Sequence, residues 1–322
     1  MKHKCFAAVV LAAALLLTGC GAKESVEQTE EGEKTLKIVA TVFPAYDFAR
    51  TCGGEDVEVT LLLPPGTESH SYEPTPADIL AVQECDLFLY LGGASDAWVD
   101  TILSAAEPTG RTLKLMDCVD LLEEETAEGM EEEKHGHDHE EELGQVKEYD
   151  EHVWTSPRNA AQIVRDIADV MGELAPESAE AFRTRGEEYA EQIEVLDQQF
   201  RDFFDSLPSR TIVFGDRFPL RYFAEEYDLD YYAAFPGCST QTEPSAATIA
   251  FLTDKVRDEH ISTVWYIEFS NHLVADSIAE ATGTKTAMFH TCHNVSQEEM
   301  DSGATYLSLM EGNLETLRAN LP

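Results

Sequence analysis

Chemistry in this chain can begin at its histidines. His135, His137 and His139 stand on alternate residues within a Glu-dominated run from 123 to 148, with Asp138 among them. Neutral imidazoles suit zinc and copper, and a flexible cluster of them captures such ions loosely. A plain solvated acidic loop is the other reading, because a run this polar cannot bury enough apolar surface to fold. His70 is presented differently, in Pro64-Pro65-Gly66-Thr67-Glu68-Ser69-His70-Ser71-Tyr72-Glu73-Pro74-Thr75-Pro76, where prolines and a glycine stiffen the loop. His152 lies in Tyr149-Asp150-Glu151-His152-Val153-Trp154-Thr155-Ser156-Pro157. On physics alone each is either a metal ligand or a solvated loop residue, with Trp154 packing beside the second.

Other chemistries find less support. A zinc hydrolase keeps an open coordination position with a general base nearby, and no HExxH occurs. The HxxE formed by His137 and Glu140 lies in low-complexity sequence and points to no catalysis. No CxxC pair exists either, which removes a zinc ribbon or thioredoxin-like motif.

The positioning elements read as α/β. Strands are expected at Leu36 to Val42, Val57 to Leu63, Asp86 to Gly92 and Thr112 to Met116, with helices at Ala45 to Thr51, Pro76 to Glu84 and Ser95 to Ala106. Such alternation implies a parallel sheet with helices on both faces, and ligands then bind beyond the carboxyl ends of the strands. A second set follows: strands Thr211 to Phe214, Leu229 to Ala233, Ser262 to Ile267 and Lys285 to Phe289, with helices Pro244 to Glu259 and His272 to Thr282. Between the sets, Asn159 to Leu174 reads as one helix and Glu177 to Leu207 as a longer one. The longer helix carries Phe182, Tyr189, Ile193, Leu196, Phe200, Phe203 and Leu207 on one stripe. About 31 residues would span roughly 45 Å. The fold class is therefore two α/β lobes, each a parallel sheet flanked by helices, joined by one long rigid helix.

The N-terminus reads as an address. Two lysines precede an apolar run, Cys5 to Leu17, too short for a mature membrane span. It ends Leu17-Thr18-Gly19-Cys20, which resembles a bacterial lipobox, so residues 1–19 are expected to be a signal peptide and Cys20 the lipidated start of a tether, 20–34. With 62 acidic against 22 basic residues the chain repels nucleic acid and has no polybasic hold on lipid. Membrane attachment is then expected only through the N-terminal lipid, and cations are the charged partners that fit. Five cysteines remain after Cys5 and Cys20. Cys238 and Cys292 follow strands of one sheet at its carboxyl edge in an oxidising environment, so a disulfide between them is expected.

His70 with Tyr72-Glu73-Pro74-Thr75-Pro76, His152 with Trp154 and Ser156-Pro157, the strand running into Phe43-Pro44, the long helix and the ending Gly303-Ala304-Thr305-Tyr306-Leu307-Ser308-Leu309-Met310 together resemble the zinc and manganese solute-binding proteins that feed ABC importers. The resemblance covers most of the mature chain. It implies an N-terminal metal-binding lobe at 35–157, linking helices at 158–208 and a C-terminal metal-binding lobe at 209–322. It also implies one divalent metal in the cleft, with two ligands from each lobe, an ABC permease as partner, a monomer and no enzymatic activity. The first pair would be His70 and His152. The third ligand falls near Phe214-Gly215-Asp216-Arg217, where zinc members have His and manganese members Glu. Asp216 is the donor available, with a helix-capping role as its alternative. The family's last Asp ligand is replaced by His290, and Glu268 and His293 are the alternates, as ligands or as partners behind them. Three imidazoles and a carboxylate favour zinc over manganese. A surface adhesin or metal buffer would share this site. A His-rich loop such as His135, His137 and His139 is also similar to that of zinc-type members.

Overall fold

The computed structural model describes residues 35–67, 72–93, 96–105, 110–130, 148–237, 239 and 243–322. Two four-stranded sheets organise them. β1 (Leu36–Ala40), β2 (Val57–Leu61), β3 (Leu87–Tyr90) and β4 (Arg111–Lys114) pair in the order β2-β1-β3-β4, all parallel. β5 (Thr211–Phe218), β6 (Asp230–Pro236), β7 (Thr263–Ile267) and β8 (Lys285–Phe289) repeat that pattern as β6-β5-β7-β8. Parallel neighbours require crossovers, and short helices supply them. In the first lobe these are α1 (Phe43–Gly53), α2 (Pro76–Glu84) and α3 (Ala97–Ala105).

Local chemistry sets the helix starts. Thr75 caps α2, its hydroxyl accepting from Asp78 N while the Asp78 carboxylate accepts from Thr75 N, and Pro76 takes the first turn, where no N–H is needed. Ser156 caps α4 (Pro157–Leu174) in the same way through Asn159 N. This N-cap is what anchors the stretch carrying His152.

α4 packs along α5 (Ala179–Ser206), the 28-residue linking helix, at ~1.5 Å rise per residue about 42 Å long. Phe182, Tyr189, Ile193, Leu196 and Phe200 are buried as their spacing predicts, but the last inward residue is Phe204, with Phe203 and Leu207 only partly covered. From Phe200 the next residue on the same face is four on, and the helix stops before another turn brings Leu207 inward. Phe204 stacks instead among Phe200, Phe223 and Tyr227.

The second lobe adds α6 (Arg221–Tyr227), α7 (Ala246–Asp258), α8 (Leu273–Thr282), α9 (Gln297–Ser302) and α10 (Tyr306–Asn320). α10 returns to the first lobe. Tyr306 N donates to Asp47 Oδ2 at 2.8 Å, and the same oxygen accepts from Tyr189 OH at 2.7 Å, so one buried carboxylate ties α1, α5 and α10. A single apolar cluster accordingly runs from Leu36 through α4 and α5 to Leu317, with smaller clusters on the outer faces of each sheet. Among the described residues no helix is long and apolar enough to cross a membrane.

Candidate metal centre

The carboxyl ends of strands from both sheets meet around one open cavity of about 380 Å³, its mouth included. Leu63 and Thr67 reach it from beyond β2, and His152 from the turn before α4. Arg217 and Pro219 come from the end of β5, Gly237 from beyond β6, Ile267 to Phe269 from β7, and Thr291, His293 and Asn294 from beyond β8. This is the edge at which parallel sheets bind ligands.

His152 is 1% exposed and is held by its neighbour. Asp150 Oδ1 accepts from the His152 backbone N–H at 2.8 Å and lies 3.1 Å from Nδ1. A carboxylate on Nδ1 fixes the tautomer and leaves Nε2 as the nitrogen able to bind a metal. Burial, the largest single influence, disfavours the charged ring, but Asp150 through its charge and hydrogen bond, joined by Glu151 and Glu124, outweighs it, and the pKa of His152 is raised above the usual histidine value. Gly237 closes against this ring: a β-carbon there would stand 3.2 Å from His152 Cε1 and 2.9 Å from Pro219 Cα. A side chain at 237 would push the imidazole aside.

Across the cavity, the His293 ring is 5.8 Å from that of His152, at 80°, and 5.1 Å from Trp154. Two imidazoles on one tetrahedral zinc, with bonds of about 2.0–2.1 Å, have ring centres roughly 5 Å apart. Glu268 completes the lining. Its Oε2 accepts from Thr291 N at 2.7 Å and its Oε1 from the Thr291 hydroxyl, which orient the carboxylate while leaving lone pairs for a cation. Among the described residues no three His, Cys, Asp or Glu side chains are already gathered as a finished metal site.

The residues expected from the sequence are placed as follows. His152 lines the cavity, and so do both alternates, Glu268 and His293. Asp216 and His290 do not. Asp216 sits where the β5–β6 register shifts between Phe214 and Arg217, a bulge that absorbs the extra residue of this segment. Gly215 in the bulge lets α8 approach, since a β-carbon would come within 2.4 Å of Ala275 Cα. The Asp216 carboxylate is spent on backbone, accepting from Arg217 N at 2.8 Å and Ile267 N at 3.3 Å. Nor does it cap α6, whose N-cap is Leu220. His290 is 4% exposed and turned toward the helices. Asn313 holds its backbone from both sides, its Nδ1 accepts from Cys292 N at 2.9 Å, and its Nε2 is 3.5 Å from Glu299 Oε1.

Cys292 is a fully buried thiol, its side chain part of the main apolar cluster. Burial pushes its pKa up. Cys238, His70, Cys20 and the histidines His135, His137 and His139 lie outside the described residues. The flanks of two of these are informative. Thr67, three residues before His70, lines the cavity. The segments on either side of the His-rich run form one antiparallel stem, Glu124 N donating to Glu148 O and Asp150 N to Leu122 O, both at 3.0 Å.

The family described as zinc-uptake complex component A, periplasmic (ZnuA) matches residues 38–320. The chain belongs to this family. The zinc-binding lipoprotein AdcA of Streptococcus pneumoniae is 30% identical to it over 306 residues, 95% of this chain and 58% of AdcA. The chain therefore spans little more than half the length of that relative. The high-affinity zinc uptake system protein ZnuA of Bacillus subtilis is 30% identical over 317 residues, covering 97% of this chain and 96% of the relative. Among solved structures, the Zn(II)-bound ZnuA-like domain of S. pneumoniae AdcA superposes with a TM-score of 0.72 at 27% identity, over 89% of this chain and 99% of that one. The laminin-binding protein Lmb of Streptococcus agalactiae shares the ZnuA fold at a TM-score of 0.73 and 23% identity, over 89% of this chain and 100% of that one.

Proposed function

We propose that this ZnuA-family chain captures zinc outside the cytoplasm and delivers it to an ABC importer. The observation that carries the reading is the cavity where His152, His293 and Glu268 come together from both lobes. Added to His70 from the stiffened loop, they make three imidazoles and one carboxylate. This is the donor set of a four-coordinate zinc ion, whereas manganese takes more oxygen donors. Glu268 and His293 thus stand in for Asp216 and His290 as the second lobe's pair.

Four protein donors leave no coordination position for a reacting water, so the site suits carriage and not hydrolysis. Retention at the membrane would come from lipid on Cys20, the mature chain adding no span of its own among the described residues. Zinc and manganese titrations of purified protein followed by calorimetry test the reading. Tight, equimolar zinc binding that is lost in His152→Ala and His293→Ala is the expected result. Tighter manganese than zinc binding, or zinc binding untouched by both substitutions, would overturn it.

A further inference from the structure

Asn294, next to His293 and 2% exposed, spans from the second lobe to the first. Its Nδ2 donates to Pro64 O at 2.8 Å and to Thr67 O at 2.9 Å, while its Oδ1 accepts from Val295 N at 2.8 Å. Both carbonyls belong to one turn. Thr67 N donates to Pro64 O at 3.1 Å, with Pro65 at the second position and Gly66 at the third with φ +75°, the arrangement of a type II turn. Gly66 N donates in turn to Val295 O at 2.8 Å, and Phe43 N to His293 O at 3.2 Å. The orientation of the amide is unambiguous, because only its NH₂ can serve two carbonyls and only its oxygen a backbone N–H.

We infer that Asn294 is a positioning residue for the metal site, locking the 64–67 turn of the first lobe to the His293 segment of the second. The inference rests on the reading of His152 and His293 as zinc ligands. Thr67 and His293 both line the cavity, and Asn294 holds the Thr67 carbonyl while directly following His293 in the chain. A ligand whose support is loose by an ångström loses its metal faster, even when the ligand itself is present. Gly66 N to Val295 O is the turn's other tie to that segment, and its two prolines have no N–H groups to pair with a neighbouring strand. Asn294 therefore governs how long zinc is retained more than how fast it arrives.

The test compares zinc transfer from loaded protein to a chelator in the wild type, Asn294→Ser, which keeps one donor, and Asn294→Ala. Val256→Ala, a truncation in the core of α7 away from the cavity, controls for general loss of stability. Expected are dissociation rates about tenfold or more above wild type in Asn294→Ala, an intermediate rate in Asn294→Ser and a wild-type rate in Val256→Ala. Hydrogen exchange should quicken at Gly66 in the Asn294 variants and stay unchanged in β1. Should Asn294→Ala fail to fold, Asn294→Ser carries the comparison. Rates within twofold of wild type in the folded Asn294 variants, or equal acceleration in Val256→Ala, would overturn the inference. If instead His152→Ala and His293→Ala bind zinc like wild type, it is the site reading that fails.

Discussion

The rings of His152 and His293 stand edge to face with 5.8 Å between their centres, one from each lobe and both against Trp154. The indole that packs on them also joins the lobes, donating from Nε1 to Thr291 O at 2.8 Å, while the Trp154 backbone carbonyl accepts from Tyr306 OH at 2.8 Å. The separation of the two imidazoles is thus held by buried hydrogen bonds and not by the histidines themselves.

Substitution should separate ligands from neighbours. His152→Ala, His293→Ala and Glu268→Ala are each expected to weaken zinc binding by about 100-fold or more, and Asp150→Asn, which removes the carboxylate behind His152, by about 10- to 100-fold. Asp216→Asn should stay within a few-fold of wild type, since its carboxylate serves backbone N–H groups. Competition titration with a zinc chelator measures all five. Loss of binding in Asp216→Asn with retention in Glu268→Ala would restore the assignment read from the sequence.

Acid should loosen the site early. A proton and a metal compete for the Nε2 of His152, and Asp150 raises this ring's proton affinity above that of an ordinary histidine. Affinity should therefore be full well above the raised pKa and begin to fall at a pH higher than the usual histidine value of about 6.5. Asp150→Asn should shift that fall to lower pH. Zinc titrations between about pH 8 and 5 provide the check.

Glu299 makes a stability prediction from a pKa shifted in the opposite direction. Its contact with His290, helped by the Ser296 N–H and hydroxyl and opposed by burial, lowers its carboxyl pKa to about 2. A depressed carboxyl pKa stabilises the fold above the unfolded-state value, and that contribution is lost as pH falls from about 4.5 toward 2. About a third of the side chain is exposed, so solvent screening trims the contribution to roughly 1–2 kcal/mol. Urea unfolding at pH 7 and pH 3 should show Glu299→Gln destabilised at the first and its deficit reduced to less than half at the second.

Deleting residues 131–147 should leave the tight site intact while removing weaker additional zinc. The stem of Leu122 to Glu124 with Glu148 to Asp150 closes the run before it reaches His152. Equilibrium dialysis would report the lost weak sites, and a large fall in the affinity of the tight one would contradict the separation of roles.

Much of the fold was legible because its signals are local. Runs four to seven residues long between helical stretches marked every strand, and Pro76 marked the start of its helix. The long linking helix announced itself by one continuous stripe, misjudged only in its last turn, where Phe204 and not Phe203 faces inward. His152 lines the cavity as the resemblance of its motif implied, although its residues alone left a solvated loop histidine equally open.

The sequence by itself determined the order of the strands, the two-lobe α/β class and the donor types present at each strand end. Only the tertiary structure decided which donors face the cavity. Two donors a few residues apart are equivalent in a pattern of residue types, but a single backbone event between them separates their directions. The bulge at Gly215 and Asp216 turns that carboxylate onto the neighbouring strand. The left-handed backbone at Cys292, φ +62°, lies between His290, fastened to Asn313, and His293, open to the cleft. Such turns are stabilised by contacts with residues distant in the chain, so local periodicity carries no trace of them.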